Sequence, residues 1–239
     1  MLLAGLVLTA CGAGHEDDAA VQVGATAISR ATVSHWMSVI AGEGSAAPVP
    51  QPPGYDACVA ERRAAATRGA NANRTRPPSE GALRSECALL FEKYKLKALY
   101  FLISYAWLSG EAPELGVHVS SREVDAQLAL LGHQFPDVQR FLVGVRGTHG
   151  DMLMRLRLAL LTKKLEAALE RRNAERRLTV AESQRAAAKF GTDFEARWRA
   201  KTTCAVGYLV PVCSGFRRPG VAPTLGPPSI PLTRLVAAG

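Results

Sequence analysis

Ser79 to Ala112, SEGALRSECALLFEKYKLKALYFLISYAWLSGEA, is the stretch that most limits what this chain can fold into. Ser79 stands where a cap is needed, and Leu89, Leu90, Leu96, Leu99, Leu102, Ile103 and Trp107 return to one side at helical spacing, so the stretch reads as one long helix. Its centre, LKALYFLISYAWL, is apolar nearly all round. A helix of that kind has to be enclosed by other elements. A bilayer span needs about 20 apolar residues, and this centre is shorter and flanked by charge. The rest of the chain is therefore expected to build a shell around one central helix.

Candidate shell elements lie on both sides of it. VQVGATAI, Val21 to Ile28, reads as a short strand with a turn at Gly24, and Ser29 caps a helix, SRATVSHWMSVIAG, ending near Gly42. GEGSAAPVPQPPGY follows; its prolines lack amide donors and fix φ, so it is expected to be an extended loop. Its PVPQPP reads as a rigid spacer. After the central helix, Ser120-Ser121-Arg122-Glu123 forms a capping box that opens a helix through Leu131. PDVQRFLVGVRG is expected to be helical, and Thr148-His149-Gly150-Asp151 starts a long helix through DMLMRLRLALLTKKLEAALERRNAE. Thr179-Val180-Ala181-Glu182 is another capping box, and Phe190, Phe194 and Trp198 recur at four-residue steps in its helix. GYLVPVC reads as a last strand, and the Pro- and Gly-rich tail from Arg217 as disordered.

The chain begins MLLAGLVLTACG. Ten apolar residues suit a secretory leader and are too few to span a bilayer. Leu8-Thr9-Ala10-Cys11 matches a bacterial lipobox, which makes Cys11 the expected lipidation site and mature N-terminus, followed by the polar tether GAGHEDDAA. Such leaders usually open with Lys or Arg, and the absence of either here points to a start further upstream. With Cys11 lipidated, four cysteines remain, and an even number in an exported chain suggests disulfides. Three pairings are open. Cys58–Cys87, flanking the Pro-, Gly- and Asn-containing insertion, and Cys204–Cys213 form the expected set, with free thiols as the alternative. A closed loop of about 30 residues contributes about 3–4 kcal/mol through the unfolded state.

A net charge of +8 falls mostly between Arg140 and Lys201. It suits acidic clients or anionic lipid. Nucleic acid is not the expected partner, because an exported chain does not stay with it and no zinc-finger, RNP-like or helix-turn-helix pattern is present. The histidines, His15, His35, His118, His133 and His149, are scattered and form neither HExxH nor a partner for a GxSxG nucleophile. Glu111 and Glu114 lie in the turn after the central helix, where they are expected to shape the turn or face solvent. No metal-ligand spacing is seen, and no cofactor is expected. The chain does not read as an enzyme.

Five segments together resemble one family: VGATAISRATVSHWM, YDAC, LRSECALLFEKYKLKALYFLISYAWLSGEAPELGVHVSSREVDAQ, FPDVQRFLVGVRGTHGDMLMRLRLALLTKKL and DFEARWRAKTTCAVGYLVPVC. They are similar, in that order, to the N-terminal chaperone module of SurA and PrsA-type peptidyl-prolyl isomerases in their lipoprotein form. The resemblance runs from about Val21 to Cys213. Family members usually carry a parvulin rotamase domain before the last helix. Here LLTKKLEAALERRNAERRLTVAESQ runs straight into AAAKFGTDFEARWRAKT, with no GGxLG loop, so no isomerase site is carried over.

The resemblance implies a mainly α, SurA-N-like helical module with two or three short strands pairing the N- and C-terminal segments. It divides the chain into a leader (1–10), a tether (11–20), the helical domain (21–216, with a Pro/Gly-rich loop insertion at 43–80) and a tail (217–239). The function it implies is an extracytoplasmic chaperone, anchored to the membrane through Cys11, that holds unfolded or nascent exported proteins without ATP. Two other readings stand beside it: an isomerase with an unrecognised site, and an envelope-assembly adaptor with a single partner. A holding surface needs adaptable apolar side chains bordered by charge. Phe101, Tyr105, Trp107, Met152, Met154, Phe190 and Trp198 are the candidates, with core packing as the plainer role for each.

Overall fold

A computed structural model describes residues 18–44, 48–73, 78–134, 142–144 and 146–217. The chain runs β1 (Ala19–Val23), β2 (Thr26–Ser29), α1 (Arg30–Gly44), α2 (Asp56–Asn73), α3 (Glu80–Glu111), a 3-10 turn (Ala112–Leu115), α4 (Ser121–Gln134), α5 (His149–Glu175), α6 (Val180–Ala200) and β3 (Thr202–Cys204). The fold is mainly helical with one small antiparallel sheet, ordered β2-β1-β3, so β1 sits between its hairpin partner and a strand from the far end of the described chain.

The second half of α3 is the axis. Ala98, Leu99, Leu102, Ile103, Trp107 and Leu108 are buried on successive sides, as expected of a helix apolar all round. Val33, Trp36 and Met37 of α1, Leu158, Leu161 and Leu165 of α5, Phe194 of α6 and Val21 and Val23 of β1 close over it in one cluster. Each such side chain contributes about 1.5–3 kcal/mol when fully buried. The buried Trp107 indole donates to Thr202 Oγ1 at 2.8 Å, and that hydroxyl donates to the Trp198 carbonyl at 2.7 Å. One hydroxyl thus pins α3 to the junction of α6 and β3, with its polar groups satisfied inside the core. The stretch of α3 before Ala98 departs from expectation: Leu89 and Leu96 are exposed, while Leu83 and Cys87 are buried in the small cluster with α2 and Phe91 and Tyr94 pack against the main core.

Side-chain caps fix where the helices begin. Ser29 Oγ accepts from the Thr32 amide at 3.0 Å and Ser79 Oγ from Ala82 at 3.3 Å. Thr148/Asp151 and Thr179/Glu182 form reciprocal capping boxes, and the Ser120 and Glu123 amides exchange bonds with each other's side chains in the same way. Glu123 does more than cap. Its carboxylate also takes the Lys164 ammonium, and this bond, with those from Ser120, holds its pKa down to about 2. Lys164 also donates to the His118 carbonyl at 2.7 Å, tying the approach to α4 onto α5.

Several boundaries differ from the sequence reading. The 43–80 segment is not a loop throughout: Asp56–Asn73 forms α2, in which Cys58 bonds Cys87 of α3 and a small cluster of Cys58, Val59, Leu83 and Cys87 is buried. The second expected disulfide, Cys204–Cys213, is also present. GYLVPVC is not a strand. The pairing partner of β1 is the preceding Thr202–Cys204, while residues after it fold back through the turn bonds Tyr208 N–H to Ala205 O and Cys213 N–H to Val210 O. Ala19 and Ala20, assigned to the tether, belong to β1, and Ala20 is fully buried. The leader, Cys11, most of the expected PDVQRFLVGVRG helix and the tail beyond Arg217 lie outside the described residues.

Candidate functional site

Between β2 and α3 lies an open groove of about 600 Å³. Its first wall is the hairpin from Val23 through the Gly24 turn to Ile28. Gly24 has φ +55°, a left-handed value that glycine adopts without strain, and its amide donates to the Lys201 carbonyl at 2.9 Å. The second wall is a single stripe of α3, namely Leu102, Tyr105, Ala106, Ser109 and Gly110. These positions are three and four apart and so share one helix face. The groove exists because three of the five carry almost no side chain. Met154 of α5, Thr32 of α1, Trp198 of α6 and Lys201 just after it complete the lining.

The Trp198 end is held rigidly. Its indole lies so close to Gly110 that a Cβ built there would stand 2.1 Å from Cη2. Trp198 Nε1 donates to Glu111 Oε2 at 2.7 Å, and Arg197 donates to Glu111 Oε1 at 2.6 Å. Of the two roles expected for Glu111, shaping the turn or facing solvent, the second does not hold: it is buried and engaged by two α6 side chains. Glu114 is exposed. Lys201 carries the one formal charge among the lining residues, and its ammonium sits 5.0 Å from the centre of the Trp198 ring, within cation–π range.

The candidate surface residues divide into three groups. Tyr105, Met154 and Trp198 meet in the groove. Phe101 stacks at a tilt on Trp36, 4.1 Å between centroids, with the Arg155 guanidinium over both rings; Phe190 stacks on Phe194 at 6.0 Å. Both are half-buried beside the core. Trp107 and Met152 are buried and belong to the interior, because the helices pack closely on those faces. What the sequence reading missed is the complement of these residues: the small stripe Ala106, Ser109, Gly110 and the strand edge at Ala27. Three small residues on one face of an otherwise bulky helix were the available signal.

The described histidines, His35, His118, His133 and His149, remain dispersed, with one pairing of note, and His15 lies outside the described residues. His35 Nε2 lies 2.9 and 2.8 Å from the two carboxylate oxygens of Asp151. Thr148 bonds the same carboxylate through its amide and its hydroxyl, at 2.7 and 2.8 Å. Burial pushes the Asp151 pKa up, but the Thr148 and His35 bonds outweigh it, and the net shift is downward. The threonine bonds the carboxylate rather than the imidazole, so this is a pin between α1 and the start of α5, not a nucleophile with its base. Among the described residues no group of three or more His, Cys, Asp or Glu side chains could hold a metal ion, and no helix is long and apolar enough to cross a membrane. No protein-family profile, curated protein or solved structure matches this chain.

Proposed function

We propose that this chain is a foldase-like chaperone of the SurA/PrsA N-terminal type, without the rotamase domain, that holds unfolded exported polypeptides outside the cytoplasm and is anchored through a lipid on Cys11. The observation that carries the reading is the groove: open, apolar, lined by Tyr105, Met154 and Trp198, and bounded by a strand edge. Aromatic and methionine side chains adapt to varied apolar partners, and holding such partners requires no ATP site. Two disulfides, with Cys87 and Cys213 fully buried, suit an oxidising compartment and support the extracytoplasmic placement. The +8 charge keeps loaded complexes soluble and attracts acidic segments.

The test is light scattering by an unfolded exported protein on dilution, with and without the purified full chain and without nucleotide. Suppression at near-stoichiometric ratios is the expected result. Absence of suppression by a chain shown to be folded overturns the reading. Capture of one stoichiometric partner from an envelope extract, in place of many, would assign the groove to a single-partner adaptor instead.

A further inference from the structure

We propose that the groove receives an extended polypeptide segment as a fourth strand on the free edge of β2, with an acidic side chain of that segment paired to Lys201. The proposal rests on the chaperone reading and states how that site holds its ligand.

The hydrogen-bond alternation of the sheet identifies the docking groups. Ala20 O accepts from Ala205 N–H, and Gly24 N–H donates to Lys201 O. Even-numbered residues of β1 thus turn their main chain toward β3, and Val21 and Val23 turn theirs toward β2. The β2 partners of Val21 and Val23 are Ile28 and Thr26, while Ala27 stands opposite Gln22. In an antiparallel ladder, residues of the second kind direct N–H and C=O away from the neighbouring strand. Ala27 therefore offers a donor and an acceptor outward, at the rim of the sheet, along the wall of the groove. No strand lies beyond it among the described residues.

An exposed edge beside an apolar cleft is the arrangement that strand addition uses: main-chain bonds supply affinity and alternate side chains enter the cleft. A strand laid on β2 lies about 4.8 Å from it, over the space left by Ala106, Ser109 and Gly110. An acyl chain entering the same volume would cover Ala27 N–H and C=O without bonding them, leaving two polar groups desolvated and unmet. That favours polypeptide over lipid. Lys201 selects the charge: it is the one ionic lining residue, at the turn end of the hairpin, so a segment bearing a carboxylate there is attracted and one bearing an ammonium repelled.

The experiment is fluorescence anisotropy on the full chain, with labelled peptides of about ten residues alternating Val and Thr, both termini blocked, and one Glu, Gln or Lys near the middle. Binding is expected in the order Glu, Gln, Lys, with the Glu and Lys peptides separated by about fivefold, roughly 1 kcal/mol, and Lys201→Glu reversing the order. Methylating alternate peptide nitrogens of the Glu peptide is expected to abolish binding. Ala27→Pro is expected to weaken it at least about tenfold while leaving the melting temperature nearly unchanged, because the lost N–H is not part of the ladder. Undiminished binding of the methylated peptide overturns strand addition while leaving the chaperone reading in place, and it does so even if Ala27→Pro fails to fold. Equal binding of the three peptides overturns the role of Lys201. If no peptide binds and light scattering is not suppressed either, the chaperone reading falls together with the proposal.

Discussion

Gly110 joins the groove to the core at the level of a single hydrogen atom. Replacing it by alanine puts a methyl carbon 2.1 Å from Trp198 Cη2 and 2.6 Å from Cζ2, so the indole has to leave its place and its bond to Glu111. Gly110→Ala is expected to lose about 1–3 kcal/mol in urea unfolding and to shift tryptophan emission; unchanged stability would show that the ring has somewhere else to go. Asp151 makes a pH prediction. Its folded pKa lies below the ordinary value, so its carboxylate contributes stability above the unfolded pKa of about 4, and that contribution is lost as pH falls through the folded value. Asp151→Asn removes the reciprocal cap with Thr148, at a cost of about 1 kcal/mol at neutral pH. The gap between native protein and variant is expected to narrow toward pH 3 in urea titrations at a series of pH values; a gap constant with pH would refute the assignment.

At the scale of elements, legibility followed the source of stability. Helices that stand on an apolar stripe or a capping box could be read directly, as with α3, α5 and α6, because periodicity and caps are local signals. The helix α2 was missed because ERRAAATRGANAN has helix-forming alanine and arginine but no apolar stripe, and it is attached through the Cys58–Cys87 bond, the small cluster around it and the surface pairs Arg62–Glu86 and Arg63–Glu80. A covalent tether leaves no periodicity to find. The double variant Cys58→Ser with Cys87→Ser is accordingly expected to lose hydrogen-exchange protection in α2 while Ala98 to Glu111 of α3 stay protected, since the small cluster around that bond is separate from the main core. Equal loss in both would show that the two clusters unfold as one. The third strand failed for the opposite reason. GYLVPVC has the apolar look of a strand, whereas Thr202-Thr203-Cys204 does not; pairing went to the polar triplet because it meets β1 in register and its threonine hydroxyl satisfies Trp107.

For the whole molecule, the groove was half legible. Its large residues announce themselves as aromatics and methionines, but a cleft is made by what is missing between them, and sequence shows that only as a run of small residues. Closure of the fold is similarly distributed. Thr202, Val210, Val212 and Cys213 are all buried, so a chain ending at Ala200 loses both the partner of the Trp107 indole and one side of the sheet. Such a chain is expected to lack the near-ultraviolet circular dichroism of fixed tryptophans; retention of that signal would show that the helices close without β3. The central place of β1 also sets an order of events during synthesis. Val21 and Val23 are made early, and Thr202 and Cys204, which pair with them, are made near the end of the described chain. On a ribosome adding about 5–20 residues per second, that leaves β1 without its second neighbour for on the order of 10–40 s. Throughout that interval each new copy carries β1 with one of its two edges unpaired.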